Sequence, residues 1–314
     1  MRILVTGGAG FIGANLCRTL VTRPEVESVT VLDDLSSGDP ANLAGVGAGL
    51  VTGSILDRDL LAELVPGATH VIHLAARPSV PRSVKDPLTS HAVNATGTLH
   101  VLEACRATRP HMILASSSSV YGDCAEPCKH EDLPTRPLSP YGASKLATEA
   151  YALAYAESYG LPVLPFRFFN VYGPLQPAGH AYAAVIPAFV SAALAGRPVP
   201  VHGDGRQSRD FTYVGSVAGI LADAAVRRVT STTPVNLAFG TRVSLLGLKD
   251  ALATILGRPV EAEFLPARAG DIRESQASPR LLLERFPGVR PVPLGEGLGL
   301  TVTWFEKTQG TAPR

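Results

Sequence analysis

Tyr141 and Lys145 stand four residues apart in the run Ser139-Pro140-Tyr141-Gly142-Ala143-Ser144-Lys145, a spacing that puts both on one face of a helix. An unperturbed phenol titrates near pH 10 and is a poor base at neutral pH. A neighbouring ammonium favours the phenolate, and lowering its pKa by about three units takes roughly 4 kcal/mol of differential stabilisation. Upstream, the hydroxyls of Ser116, Ser117, Ser118 and Ser119 follow the apolar stretch Met112 to Ala115. There a hydroxyl can hydrogen-bond a reacting oxygen and pass on a proton. A serine, tyrosine and lysine set of this kind suits the interconversion of an alcohol and a carbonyl beside a bound nicotinamide nucleotide.

The nucleotide has its own signature at the start of the chain. Gly7, Gly10 and Gly13 recur every third residue after the apolar Ile3 to Val5, and Gly8, Gly10 and Gly13 satisfy G-x-G-x-x-G. Glycines let the chain turn sharply and approach a pyrophosphate, and the following helix aims its free N–H groups at that phosphate. About 20 residues further on, Asp33 ends the apolar run Val29 to Leu32, where an acid can hold the adenosine ribose hydroxyls.

These residues need a scaffold, and the pattern supplies one. Strands are expected at Ile3–Val5, Ser28–Leu32, Leu50–Val51, His70–Leu74, Met112–Ser116 and Pro162–Phe168. Helices are expected at Phe11–Leu20, Arg58–Leu64, His91–Arg106 and Ser139–Ser158. This alternation predicts an α/β fold, a doubly wound, Rossmann-like parallel sheet, with ligands beyond the carboxyl ends of its strands. That edge collects Gly7 to Gly13, Asp33, Ala75, Ser116 to Ser119 and Phe168 to Asn170. After Gly173, proline and glycine punctuate short segments, so residues 1–173 read as a nucleotide-binding domain and 174–314 as a smaller mixed α/β lobe. Segments near 214–239 are expected to return to the first domain.

Composition narrows the class. The 314 residues carry a formal net charge of +1 with no basic run, which argues against nucleic-acid and anionic-membrane partners. No leader-like N-terminus or 20-residue apolar span is evident, so a soluble, cytoplasmic protein is expected. Cys17 and Cys105 fit apolar helix faces, and Cys124, Cys128 and His130 lack a fourth ligand nearby, so no metal site is expected.

With these motifs in place, the chain resembles the extended short-chain dehydrogenase/reductases, specifically NAD-dependent UDP-sugar 4-epimerases of the galactose-epimerase type. The resemblance is carried by Gly7 to Gly13, His73-Leu-Ala-Ala76, Ser79 to Val84, Ser116 to Gly122, Tyr141 with Lys145, Arg167-Phe-Phe-Asn170-Val-Tyr-Gly173, Ala181 to Pro187, Gly203-Asp-Gly205, Ser208 to Phe211 and Gly270 to Arg273. The Ala181 to Pro187 stretch is similar to the branch that handles N-acetylated UDP-hexoses.

The resemblance implies that Tyr141 is the base at the C4 hydroxyl, that Lys145 tunes it and holds the nicotinamide ribose, and that Ser117 assists. It implies an NAD site drawn from Gly7, Gly10, Phe11, Ile12, Gly13, Asp33, Asp34, Ser36, Ser37, Gly38, Ser54, Ile55, Leu74, Ala75, Ala76, Asn94, Ser116, Tyr141, Lys145 and Phe168. For the UDP-sugar it implies Val80, Arg82, Ser117, Ser118 and Ser119. Asn170, Arg209 and Arg268 are implied at the diphosphate, Asp271 at its ribose, Ala184, Val185 and Phe189 around the nucleotide, and Val201 with His202 near the uracil. Asp33 disfavours an adenosine 2′-phosphate electrostatically, so NAD is expected over NADP.

Three departures bear on the reaction. Ser54 stands where relatives often carry Asp. Ser118 and Ser119 stand where related dehydratases carry an acid pair, and serine supplies no carboxyl group, which argues for plain epimerisation. Ser275 stands where some epimerases carry Tyr, which leaves room for an N-acetyl group without selecting it. An NDP-sugar dehydratase or oxidoreductase, or a non-catalytic NAD-binding sensor, are the alternative readings. The family also implies a homodimer built from the helices at His91–Arg106 and Pro140–Ser158, with Ala150, Ala152, Ala154 and Ala156 exposed for packing.

Overall fold

The computed structural model describes residues 1–178, 184–267 and 274–309. Its main sheet has seven parallel strands in the spatial order Val235–Leu237, Val163–Phe168, His111–Ser117, His70–His73, Arg2–Thr6, Ser28–Asp33, Gly49–Thr52. The chain begins near the middle, winds to one edge through the strands after Arg2–Thr6, and then returns to build the other. The order reverses between Arg2–Thr6 and His70–His73, the place where a doubly wound sheet leaves a crevice for a nucleotide.

Strand alternation fills both faces of that sheet. Ile3, Val5, Val29, Val31, Ile113 and Phe166 pack on one side with the helices Phe11–Leu20 and Val214–Arg227. Leu4, Leu32, Val71, Met112, Leu114 and Val163 pack on the other with Arg58–Leu64, Gly97–Cys105 and Pro140–Tyr159. Both faces are covered, so apolar side chains fill the middle of the strands on either side.

A second core lies beyond residue 173, where Phe189, Val190, Val199, Val201, Leu248, Leu252, Leu298, Val302 and Phe305 pack with Tyr172 and Phe211. Its strands are short. Val243–Ser244, Ser208–Arg209, Glu274–Ala277 and Cys128–Lys129 form a four-stranded mixed sheet, Asn170–Tyr172 pairs with Phe211–Tyr213, and Val199–His202 with Ala262–Leu265. Parts of this sequence also serve the first core: Val235–Leu237 adds the edge strand, and Leu282 and Phe286 join the first cluster.

Two expectations about helices are corrected. The helix expected over His91–Arg106 begins earlier and runs unbroken from Pro87 to Cys105, with a π-turn at Ala92–Thr96 inside it. Periodicity misses the π-turn, whose extra residue turns Asn94 inward. On the helix Pro140–Tyr159, Ala150 and Ala154 are exposed, but Ala152 is fully buried against the sheet side and Ala156 is half-buried. A two-residue step swings the side chain about 200° around a helix, so these alanines cannot share one face.

Candidate functional site

The glycine turn is shaped by close backbone approach. A Cβ on Gly13 would lie 2.2 Å from the Gly7 carbonyl oxygen, and one on Gly7, which has φ +73°, would lie 2.7 Å from the Ala75 nitrogen. The helix then opens with the Ala14 N–H bonded to the Gly10 carbonyl at 2.9 Å. The N–H groups of Phe11, Ile12 and Gly13 therefore have no intrahelical acceptor, and all three residues line the cavity above them.

That cavity has a volume of about 620 Å³, within the range of nucleotide and cofactor sites. Its wall runs from Asp33, Asp34, Ser36, Ser37 and Ile55 past the turn to Leu74, Ala75 and Ala76, then to Ser116, Ser117, Tyr141, Lys145 and Phe168. Arg82 and Ala184 complete the far end. The carboxylate of Asp33 is fixed by the Ala9 and Leu35 N–H groups, both at 2.9 Å. Gly38 lies against it, since a Cβ there would sit 2.8 Å from Asp33 Oδ1. These donors and the glycine cradle fit a dinucleotide: amides for the phosphates at one point and an anchored acid at the other.

Ser117, Tyr141 and Lys145 meet at the opposite end of this wall. Ser117 is the last residue of His111–Ser117, its hydroxyl donates to Ser119 Oγ at 3.2 Å, and it lies beside the Tyr141 phenol. The helix Pro140–Tyr159 starts with Ser139 as N-cap, its Oγ accepting from the Gly142 N–H at 3.1 Å, and Pro140 fits the first turn. Ser83 accepts the Tyr141 N–H at 3.0 Å, which ties this turn to the short helix Val80–Lys85. Burial pushes the Tyr141 phenol above its ordinary value, and the Ser117 hydroxyl opposes the shift. Burial pulls Lys145 down to about 8, and the Glu149 carboxylate counteracts this.

Beneath them runs a buried polar chain. The Thr6 hydroxyl meets His73 Nδ1 at 2.7 Å, His73 Nε2 meets Thr98 Oγ1 at 3.0 Å, and Thr98 donates to the Asn94 carbonyl at 2.6 Å. Because Thr98 spends its proton on Asn94, His73 must donate from Nε2 and accept at Nδ1, which fixes a neutral tautomer. Burial pulls His73 down to about 3, with the Lys145 charge adding to the effect. Asn94 Nδ2 donates to Ser144 Oγ at 2.9 Å, and Asn94 Oδ1 accepts the Arg77 N–H at 2.7 Å. Asn94 thus braces the helix that carries Tyr141 and Lys145 and is not among the residues lining the cavity.

The remaining expected residues fall in three places. Ser54 caps the Leu56 N–H, Val80 is exposed beside the wall, and Ser118 and Ser119 form the turn after Ser117. Asn170, Arg209 and Ser275 are brought together by register, since Arg209 pairs with Ser275 and Asn170 Nδ2 bonds the Asp210 carbonyl at 3.2 Å. Val185 opens the helix Val185–Leu194, but Phe189 and Val201 are fully buried in the second core, so their side chains are structural. His202 Nδ1 donates to the Pro266 carbonyl at 3.1 Å. Arg268 and Asp271 lie outside the described residues. Sequence reasoning missed Gln176 and Pro177 on the wall, Ser79 with φ +104°, and Asn42, whose amide bonds the Ala9 carbonyl at 2.9 Å. Only Ser79 carried a signal, as the cap before Pro81.

Comparison with known proteins agrees with this geometry. Residues 3–238 match the NAD dependent epimerase/dehydratase family. A UDP-glucose 4-epimerase of Mycolicibacterium smegmatis is 38% identical over 97% of this chain and 98% of its own. Among solved structures, a UDP-N-acetylglucosamine 4-epimerase from Methanobrevibacter ruminantium, in complex with UDP-N-acetylmuramic acid, is 35% identical with a TM-score of 0.91, covering 98% of both chains. A UDP-glucose 4-epimerase from Thermus thermophilus, in complex with NAD, is 36% identical with a TM-score of 0.88, covering 99% of this chain and 100% of that one.

Proposed function

The chain belongs to the NAD dependent epimerase/dehydratase family, and on that premise we propose that it interconverts the C4 epimers of a UDP-hexose or UDP-N-acetylhexosamine through a transient 4-keto sugar. One observation carries the reading: Ser117, Tyr141 and Lys145 stand on the same cavity wall as the Gly7 to Gly13 turn and Asp33. NAD, when bound, supplies a reversible hydride acceptor. Every other part of the reaction falls to this chain.

The N–H groups of Phe11, Ile12 and Gly13 hold the cofactor pyrophosphate, and Asp33 its adenosine ribose. Tyr141 takes the proton from the C4 hydroxyl, with Ser117 hydrogen-bonded to the same oxygen. Lys145 supplies the positive charge that offsets the burial of the phenolate. Asn170 and Arg209, with Arg268 and Asp271, hold the UDP moiety while the keto sugar turns its other face. Return of the hydride to the other face of C4, with the proton from Tyr141 going back to the C4 oxygen, completes the inversion with no net oxidation.

Dehydration is disfavoured at the serine turn. Elimination of water needs an acid–base pair, and Ser118 and Ser119 offer hydroxyls only. Ser275 leaves space for an N-acetyl group beside Arg209, so both plain and N-acetylated hexoses fit this reading. The four free cysteines suit a reducing, cytoplasmic setting. Leu88 is 82% exposed on one of the helices the resemblance puts at the interface and Tyr151 42% on the other, which supports a homodimer through these helices.

A proton NMR time course with UDP-GlcNAc and, separately, UDP-glucose tests the proposal. The C4 epimer should appear without added NAD if the cofactor is retained, and with NAD if it is not. An unchanged spectrum for both sugars in the presence of NAD would overturn the substrate assignment.

A further inference from the structure

One helical turn beyond Lys145, on the same face, lies Glu149, and it faces Arg167 from the neighbouring strand. The guanidinium bonds the carboxylate twice, Nε to Oε2 at 3.1 Å and Nη2 to Oε1 at 2.9 Å. Lys145, Glu149 and Arg167 are each at most 4% exposed. The Arg167 guanidinium also lies 4.7 Å from the centroid of the Tyr121 ring, and the Tyr121 hydroxyl donates to Asn236 Oδ1 at 2.7 Å. Tyr121 ends the turn that starts at Ser117, and Arg167 is in register with Ser116. The pair therefore touches the helix carrying Tyr141 and Lys145, the strand leading to Phe168, and the turn carrying Ser117.

We propose that Glu149 and Arg167 are positioning residues for the reaction, a buried ion pair that fixes the serine turn against the catalytic helix and sets the charge behind Lys145. The inference rests on the catalytic reading of Tyr141 and Lys145 given above. A buried ion pair is a poor source of stability, because desolvation of both ions offsets their attraction. Its placement is the informative feature. An ammonium buried with no carboxylate near it loses its proton, and Glu149 is the carboxylate whose attraction raises the Lys145 pKa.

The charged and titratable groups around Lys145 leave that role to Glu149. Tyr141 shares its helix, neutral His73 approaches from the central sheet, Arg82 lines the same cavity, and Arg167 comes from the next strand. On the helices packed against this one, Lys85, Asp86, His91, Glu103 and Arg106 are exposed, Glu103 bonding Tyr155 further along the helix. His111 sits at the opposite end of its strand.

The test uses the NAD-bound protein with carbon-13 at the lysine ε position. The chain has five lysines, so Lys145 is assigned by the resonance lost in Lys145→Met. Glu149→Gln leaves two neighbouring cations unbalanced and should lower the Lys145 midpoint by about one pH unit. Arg167→Met frees the carboxylate and should raise it, and the double variant should return it near the starting value. The alkaline limb of kcat should move with the midpoint, while Glu149→Asp should keep it in place. Should Glu149→Gln fail to fold, the upward shift in Arg167→Met remains decisive. Shifts that are absent, or of the same sign in both single variants, overturn the proposal. The titration needs no turnover, so an inactive enzyme with opposite shifts would count against the epimerase reading and in favour of the pair.

Discussion

In the seven-stranded half, the candidate cofactor residues sit at or just beyond the carboxyl ends of strands, so one sheet delivers Gly7 to Gly13, Asp33, Ala75, Ser116 and Phe168 to a common edge. In the other half, Asn170, Arg209 and Ser275 come from strands of two to four residues in two separate small sheets, Arg209 paired with Ser275 in one and Asn170 with Phe211 in the other. The first arrangement is held by one continuous sheet, and the second by two short ladders tied together through side chains. Asp210 is the clearest case. Fully buried, its carboxylate accepts from the Gly240 N–H at 2.9 Å, the Ala277 N–H at 3.2 Å and the Thr241 hydroxyl at 2.7 Å, while its own backbone bonds Asn170 and Ser275. A site built by a sheet should resist loss of single side chains other than those that react. A site built by one carboxylate should not.

The largest effect tests the exception within the sheet half. Tyr141→Phe removes only a hydroxyl from the cavity wall, so NAD and UDP-sugar should still bind while kcat falls by about a thousandfold. A kcat within tenfold of the parent, read by the same NMR assay, would remove Tyr141 from the role of base.

Next comes the glycine turn. Gly13→Ala would place a methyl 2.2 Å from the Gly7 carbonyl oxygen and 2.6 Å from the Gly8 Cα. Backbone must shift, at a cost of about 3 kcal/mol or more, and the N–H groups that face the phosphates shift with it. NAD carried through purification, measured after denaturation, should drop to a small fraction. Unaltered NAD content and thermal stability would show that the turn is looser than its contacts indicate.

Acid should separate the two halves by sign. His70 and His111 stand edge-to-face in the sheet half, their centroids 5.5 Å apart, and burial pulls His70 down to about 4 and lowers His111 as well. Their folded pKa values lie below the unfolded value near 6.5, so the unfolded chain takes up protons first and stability is lost as pH falls from 6.5 toward 4. His70 alone should remove about 2 kcal/mol between pH 7 and 5. Asp210 is shifted the other way, upward by burial, so protonation in the folded state comes before protonation in the unfolded chain and its contribution grows as pH falls through the raised value. Hydrogen exchange at pH 7 and 5, corrected for intrinsic rates, should show loosening around His70–His73 and His111–Ser117 and none at Glu274–Ala277. Uniform loosening would mean that the halves unfold as one unit.

The same contrast explains what the sequence made legible. Strand and helix periods, a glycine turn and the Tyr141–Lys145 spacing are contiguous patterns, and they located the sheet, its reactive edge and the helix Arg58–Leu64 to the residue. The resemblance puts Asn94 in the NAD site, but its bonds to Ser144 and Arg77 follow from a π-turn that no regular period reveals, and Asn42 escaped because its partner, the Ala9 carbonyl, is 33 residues away. The resemblance puts Phe189 and Val201 at the nucleotide, and nothing in the sequence corrects it, because an apolar side chain beside a ligand and one in a core have the same pattern. Nothing local marked Asp210, whose hydrogen-bond partners lie 30 to 67 residues further along the chain.

Asp210→Asn therefore makes the sharpest test of the comparison, although its effect is the smallest. The substitution keeps shape and burial but replaces one acceptor with an NH2 group that opposes the N–H groups of Gly240 and Ala277, or the Thr241 hydroxyl. Leaving such donors unsatisfied costs about 1–3 kcal/mol, most of it falling on the strand that carries Ser275 and on the Asn170 contact. The KM for the UDP-sugar should rise about tenfold, equivalent to roughly 1.4 kcal/mol, with NAD content unchanged and kcat nearly so. Asp210→Ala should do the same or more, because the three donors then lose their acceptor altogether. If both variants lowered NAD content as much as they raised KM, the two halves would be coupled through Asp210, and the division between a sheet-built and a side-chain-built site would be wrong.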